Sequence, residues 1–416
     1  MKTVLIGAGR SGVGAARLLS LGSDEVTLYN EQSFPEMSEL EAIGINVEIA
    51  SFSLIDIQAY DCIIKAPGVP GFDQAINEVE VAYLNADAYK LYAVSGTNGK
   101  TTTTHLLHEM LKQIDQGALA TGNIGYALSQ AVYDHGNTQR KVALEISAFQ
   151  MDGLRETQFD IYALMNLSPD HLDRYESVED YYSAKLSMLQ KSKHCIINVD
   201  DKNIMERINT TTEYISLSLV GPADIYKKGK SVYFKHEELF QIGDLKLPGK
   251  HNLMNAMFAA SIAYLAGVTP AQIQDVLHEF KGVEHRLEYI REINGVRFYN
   301  DSKATNPEST EVCLKSFDEK IHLIAGGFDK KISFELLGRY KEGLAGVYVY
   351  GESAHLLKEV FPNAKIFETM LEASEEAYKM AKENEVVVLS PACASYDQFK
   401  NFEERGMIFK QYIKAL

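Results

Sequence analysis

Apolar and polar positions follow two periods along this chain, and the switches between them mark its elements. Val4–Ile6 is a short apolar run that reads as a buried strand. Gly7-Ala8-Gly9-Arg10-Ser11-Gly12 follows as a tight loop, and Val13 to Leu21 carries helical spacing, with Gly22 placed to cap it. Val26–Tyr29 is a second strand, Glu36 to Ile43 a helix closed by Gly44, and Cys62–Lys65 a further strand ending in Ala66-Pro67-Gly68. Strands alternating with helices at this spacing predict a parallel, doubly wound sheet.

The rhythm restarts at Leu91–Val94, a strand followed by a glycine loop and a helix from about Lys100 to Lys112. Val142–Glu145, Tyr162–Asn166 and Cys195–Val199 are further strands. Residues 213–250, rich in β-branched and aromatic residues with turns, predict a small antiparallel patch, and Asn252 to Ala266 an amphipathic helix. A third unit opens near Glu284. Its strands are Val296–Tyr299, Ile321–Ala325, Val347–Tyr350 and Val386–Leu389, with helices at about Ser309–Lys315 and Ala354–Val360. The expected domains are therefore 1–88, 89–283 and 284–416. A chain of 416 residues is too long for one ordinary core, which agrees with a division.

Composition narrows the class. Hydrophobic residues make up 46% and charged residues 24%, as in soluble globular proteins. The formal net charge of −16, with no run of Lys and Arg to overcome it, argues against nucleic acid as a partner. No apolar run approaches the ~18 residues needed to cross a bilayer, and Val4–Ile6 is too short for the core of a signal peptide. No membrane partner is expected, and a cytoplasmic location is. Cys62, Cys195, Cys313 and Cys393 are far apart, with no CxxC pair; they read as buried free thiols in a reducing compartment, and the spacing does not suit zinc.

Ser95-Gly96-Thr97-Asn98-Gly99-Lys100-Thr101 is the sharpest local signal. It follows a strand and opens a helix, as a phosphate loop requires. Two glycines let successive N–H groups face inward, and the helix N-terminus adds to their pull on phosphate oxygens. Lys100 supplies charge for the β- and γ-phosphates, and the Thr101 hydroxyl is a Mg²⁺ ligand. The spacing departs from GxxxxGK[ST], because Val94 stands where the first Gly would be.

The form GTNGKT resembles the phosphate loop of the Mur ligases and of folylpolyglutamate synthases. Further matches follow in order: Thr121-Gly122-Asn123-Ile124-Gly125; Glu145-Ile146-Ser147-Ala148-Phe149-Gln150; Asn166 to Arg174, which reads N-L-S-P-D-H-L-D-R; Ala184-Lys185; and Gly249-Lys250-His251-Asn252-Leu253-Met254-Asn255. His285-Arg286 is similar to the family's PHR turn, with Glu284 where Pro is usual. Asp301-Ser302-Lys303-Ala304-Thr305-Asn306 and Ser390 to Phe402 resemble segments of the member that adds D-glutamate. The matches span Gly7 to Phe402. The family's diamino-acid-adding member carries a DNPR motif that is absent here. About 90 residues of strand–helix repeat before Gly96 argue against a folate enzyme.

The resemblance implies an α/β fold of three domains: a Rossmann-like N-terminal domain, a central P-loop-type ATPase domain with a mainly parallel sheet, and a Rossmann-like C-terminal domain. These domains would close on their substrates about a hinge near residue 283. It implies an ADP-forming ligase that activates the carboxylate of UDP-N-acetylmuramoyl-L-alanine as an acyl phosphate. The amine of D-glutamate then displaces phosphate. ATP and two Mg²⁺ ions would be needed to bring mutually repelling anions together. Gly96, Thr97, Asn98, Gly99, Lys100, Thr101 and Thr102 would hold the ATP phosphates. Asn252, Asn255, Arg286 and Asp301 would contact the nucleotide. Lys100, Glu145, His171 and Lys185 would be catalytic; Thr101, Glu145, His171 and a carbamylated Lys185 would hold metal. Taken alone, Lys185 reads as an exposed lysine on a Val178–Leu189 helix.

For the UDP-linked substrate the resemblance points to Gly9, Ser11, Gly12, Asn30, Gly68, Asn123 and Ser147. For D-glutamate it points to Thr305, Lys330, Ser395 and Phe402, with Lys331 where the family commonly has Gly. The protein is expected to act as a monomer. Three rival readings exist: another Mur ligase or folylpolyglutamate synthase; an NAD-dependent dehydrogenase or nucleotide-sensing protein built on Gly7-x-Gly9-x-x-Gly12; and a catalytically silent scaffold. The dinucleotide reading leaves GTNGKT unexplained, and its ribose-binding acid, Glu31, stands in poor register.

Overall fold

The computed structural model describes residues 1–168, 175, 177–209 and 211–416. Among these, three separate sheets form. The first is wholly parallel and four-stranded, in the order Asn46–Ile49, Glu25–Asn30, Lys2–Ile6, Cys62–Lys65. The chain therefore builds outward in one direction from Lys2–Ile6 and then crosses to its other side. The gap between Lys2–Ile6 and Cys62–Lys65 is the switch point, and the loops leaving the carboxyl ends of both strands open there.

The second sheet is nine-stranded. Five parallel strands run Leu119–Gly122, Arg140–Glu145, Tyr89–Ser95, Phe159–Leu164, Ser192–Asn198. Tyr89–Ser95 lies in the middle and is almost wholly buried, so its carboxyl end delivers the glycine loop to the centre of the sheet edge. The patch expected over 213–250 is not separate. Ile215–Ser218 pairs parallel with Ser192–Asn198 and Ile225–Lys228 parallel with Ile215–Ser218; only the last two pairings, of Ser231–Phe234 with Ile225–Lys228 and with Glu237–Gln241, are antiparallel. The Lys250–Leu265 helix differs from expectation too. It is apolar all round rather than amphipathic, with every residue from Ala256 to Ala263 at 0% exposure, and Ser261 satisfies its hydroxyl on the Met257 carbonyl at 2.7 Å.

The chain divides into two compact units. Residues 1–242 and 255–276 form one, holding the first two sheets; residues 243–254 and 277–416 form the other. In the first unit the Glu78–Leu84 helix ties the sheets together. Its buried Glu80 carboxylate accepts from the amides of Arg155, Glu156 and Thr157, and Glu78 from that of Ser129. In the second unit six strands run Glu288–Ile293, Val296–Asn300, Val386–Leu389, Ile321–Gly326, Leu344–Tyr350, Lys365–Phe367, parallel except for the first. Here the switch point falls between Ile321–Gly326 and Val386–Leu389.

Candidate active site

The glycine loop is held from one side by Asn166, which lies just beyond the neighbouring Phe159–Leu164 strand. Its Oδ1 accepts from the amides of Thr97 (3.0 Å) and Asn98 (2.8 Å), and its Nδ2 donates to the Asn98 carbonyl. From another side Thr97 Oγ1 donates to the Ser168 carbonyl. Gly99 opens the Lys100–Leu111 helix at φ +86°, and a Cβ there would stand 2.4 Å from Asn255 Oδ1. Left-handed backbone and close approach together require glycine. The contact also brings the predicted nucleotide residue Asn255 against the loop. Lys100 Nζ folds back onto the Gly96 and Thr97 carbonyls at 2.9 and 2.8 Å. Thr101 is half-buried and Thr102 buried in the helix's first turn.

Glu145 ends its strand in register with Val94, beside the start of the loop. It is 2% exposed, which overturns any reading of it as a solvated strand end. Its Oε1 accepts from Asn123 Nδ2 at 3.0 Å, while Oε2 is buried with no hydrogen-bond partner among the described residues. An anionic oxygen left so is costly, and the chemistry that suits it is a hard cation. Lys185 is likewise buried, at 1% exposure, and not the solvated lysine that its helix alone suggests. Its Nζ reaches Ser95 Oγ (3.4 Å) and the Gly96 carbonyl (3.2 Å) and lies over the Tyr181 ring. Lys185 and the phosphate loop thus share one site. His171 lies outside the described residues.

The first sheet's switch point is a cavity of about 580 Å³. Gly9, Ser11, Asn30, Gly68 and Asn123 all line it, together with Arg10, Glu31 and Phe52. Asn30 shapes the loop, its Oδ1 accepting from the Ala8 amide at 3.0 Å. Gly12 is not in the wall. A Cβ there would stand 1.9 Å from the Gly7 carbonyl oxygen, so its task is close packing of helix on loop. Ser147 is also outside the wall and caps the Ala148–Met151 turn in a capping box with Gln150. Asn123 faces both ways, lining the cavity and bonding Glu145.

In the second unit three loops leave neighbouring carboxyl ends. The first follows Asn300 and carries Asp301 and Thr305. The second follows Gly326 and carries Lys330, whose Nζ is 3.5 Å from the Thr305 carbonyl. The third follows Leu389 and carries the buried Ser395. Lys331 takes φ +57°, the left-handed conformation in which Gly is at ease, and its amide donates to Asp329. Asp301 is fully buried, which pushes its carboxyl up to about 6. Its oxygens accept from the Leu287 amide (3.1 Å) and Ser390 Oγ (2.7 Å), so it ties the Arg286 turn to the third loop. Asn252 Nδ2 donates to the Pro248 carbonyl at 2.7 Å. The Phe402 ring meets His285 edge-on and lies under Lys303.

Residues 94–263 match the Mur ligase middle domain, and residues 285–393 the Mur ligase glutamate ligase domain. The chain is 35% identical to the UDP-N-acetylmuramoylalanine--D-glutamate ligase of Thermoanaerobacter sp., covering 100% of this chain and 98% of that protein. It is 34% identical to the ligase of the same name from Shouchella clausii, with 100% and 97% covered. The chain belongs to the Mur ligase family. Mur ligases are ATP-dependent enzymes that form amide bonds, which removes the dehydrogenase reading of the first glycine loop. The fold is that of solved Mur ligases. UDP-N-acetylmuramate-alanine ligase from Thermotoga maritima aligns with TM-score 0.58 at 18% identity, over 100% of this chain and 99% of that one. MurF from Acinetobacter baumannii aligns with TM-score 0.63 at 15% identity, over 99% and 93%.

Proposed function

We propose that this Mur ligase joins D-glutamate to UDP-N-acetylmuramoyl-L-alanine, with ATP cleaved to ADP and phosphate, in peptidoglycan precursor synthesis. The observation that carries the reading is the phosphate loop with Glu145 at its edge, buried and with one oxygen unpartnered among the described residues, and a cavity joined to it through Asn123. Full-length likeness to ligases named for D-glutamate supports the choice of amino acid.

In this reading the loop amides and Lys100 hold the β- and γ-phosphates, and Lys100 leaves its carbonyl partners to do so. The cavity takes the UDP moiety, which directs the L-alanyl carboxylate past Asn123. A carboxylate oxygen attacks the γ-phosphorus, ADP leaves, and an acyl phosphate forms. The D-glutamate ammonium gives one proton to solvent and its amine attacks the acyl carbon; phosphate departs with the oxygen that began on the carboxylate, and the second proton passes from nitrogen to the departing phosphate or solvent, leaving the neutral amide. Lys330, Thr305 and Ser395 hold the acceptor's carboxylates through charge and hydroxyl donors, and Phe402 borders them. Arg286 and Asn255 meet the nucleotide. Mg²⁺, two ions in this reading, would screen the repulsion between anions, held by Thr101, Glu145, His171 and Lys185 as its carbamate. The protein works as a cytoplasmic monomer with domains cut near residues 88 and 283.

The test is isotopic. UDP-N-acetylmuramoyl-L-alanine carrying ¹⁸O in its carboxylate is turned over with MgATP and D-glutamate, and the phosphate is analysed by mass spectrometry. One ¹⁸O per phosphate is expected. Phosphate without ¹⁸O, formed alongside amide, would remove the acyl phosphate from the scheme.

A further inference from the structure

Arg405 is the largest wholly buried side chain among the described residues, at 0% exposure, and no carboxylate lies within ion-pair distance of it there. It sits in the first turns of the Phe402–Ala415 helix, on the stripe that also buries Phe409 and Ile413. Its hydrogen-bond partners there are all neutral. Nε donates to Ser302 Oγ (2.9 Å) and Nη2 to the Ser302 carbonyl (2.8 Å). Nη1 donates to the carbonyls of Cys393 (3.1 Å) and Ala394 (3.2 Å). Ser302 Oγ in turn donates to the Phe402 carbonyl at 2.8 Å. One guanidinium thus staples the loop that carries Thr305 to the loop that carries Ser395, and both to the helix that begins at Phe402.

A buried cation with no ion pair is expensive, and an apolar side chain would fill the space more cheaply; the nearby Asp397 carboxylate, which acts on the same Tyr350 and Cys393 side chains, lies beyond ion-pair distance. A fork of donors explains why arginine suits two carbonyl-bearing loops. The retained charge has a use if an anion binds close by. We infer that Arg405 is a positioning residue for the acceptor amino acid: it locks the Ser302–Thr305 and Cys393–Ser395 segments in register and contributes the positive field that a dicarboxylate needs. This rests on the D-glutamate reading above.

The test compares Arg405→Lys, Arg405→Met and Ser302→Ala with the parent protein by KM for each of the three substrates, kcat, and unfolding temperature. Arg405→Met should raise KM for D-glutamate about 30-fold or more, with KM for ATP and for the UDP-substrate within 2-fold. Arg405→Lys, which keeps the charge but not the fork, should fall between the two. Ser302→Ala, which removes one acceptor from Arg405 together with the hydroxyl bond to the Phe402 carbonyl but keeps the guanidinium, should raise KM for D-glutamate about 3- to 10-fold while the protein stays folded; it decides the matter if both Arg405 variants fail to fold. An unchanged KM for D-glutamate in the folded variants overturns the inference. So does an equal rise in all three KM values, which marks a structural role. If the parent protein uses another amino acid, the D-glutamate reading fails by itself, and the Arg405 inference stands or falls on the KM of that amino acid.

Discussion

Replacing Glu145 with Gln separates what this side chain does to stability from what it does in the reaction. One carboxylate oxygen accepts from Asn123 and the other is buried with no partner among the described residues. An unsatisfied buried polar group costs about 1–3 kcal/mol, and more when charged. Gln keeps the shape and the Asn123 bond and discards the charge, while its amide nitrogen inherits the unpaired place. The balance favours the variant by about 0–2 kcal/mol, or roughly 0–8 °C in unfolding temperature at 2–4 °C per kcal/mol for a unit of this size. The reaction should respond in the opposite sense. Loss of an anionic ligand should raise the Mg²⁺ concentration for half-maximal activity by about 10- to 100-fold or more, by analogy with the cost of losing even an outer-sphere partner. Calorimetry without ligands reads the first quantity; phosphate release during a Mg²⁺ titration reads the second. A Glu145→Gln protein that melts several degrees lower with unaltered Mg²⁺ dependence would refute the reasoning, because Glu145 would then be a structural hydrogen-bonding group.

Asn166→Ala removes the three hydrogen bonds that hold Thr97 and Asn98, together about 3 kcal/mol at roughly 1 kcal/mol per bond, and the Kd for ATP measured by titration calorimetry should rise on the order of 100-fold. Gly99→Ala must pay about 1–2 kcal/mol for the left-handed backbone as well as displace Asn255, so ATP-dependent turnover should fall about 10-fold or more. Asp301→Asn tests a linkage. The folded carboxyl titrates at about 6 against an ordinary value of 3.8, so its contribution to stability is full below 3.8 and is lost as pH rises through 6. Two units amount to about 3 kcal/mol. The melting temperature of Asp301→Asn relative to the parent should therefore climb between pH 4 and 7; a difference independent of pH would show that burial does not perturb this group.

Several site elements were legible because local chemistry and chain order coincide. A glycine loop between strand and helix can do little but turn and present amides, so Gly96 to Thr101 was readable without any structure. The switch-point loops at Gly7 and Gly68 were readable from strand–helix alternation. Burial was not. Lys185 looks like any lysine on a helix, and only the Tyr89–Ser95 and Phe159–Leu164 strands packed beneath it turn it inward. Asn166 was visible as the start of a motif, but its grip on Thr97 and Asn98 depends on two strands that are far apart in the chain being neighbours. Arg405 left one trace in the sequence, a charge at the i−4 and i−8 positions of the stripe ending in Phe409 and Ile413. The Lys250–Leu265 helix is apolar on every side because it is enclosed by its surroundings, and even its polar Asn252 and Asn255 are buried, which periodicity alone does not reveal.

The proposed selectivity of this Mur ligase is for D-glutamate. It is tested most directly by phosphate release from MgATP and UDP-N-acetylmuramoyl-L-alanine, with D-glutamate, L-glutamate, L-lysine or meso-diaminopimelate added in turn and Lys100→Ala as the blank. Release with D-glutamate alone, absent from the blank, is the predicted result. Release driven by another amino acid, or by none while the folded protein binds ATP, would contradict it.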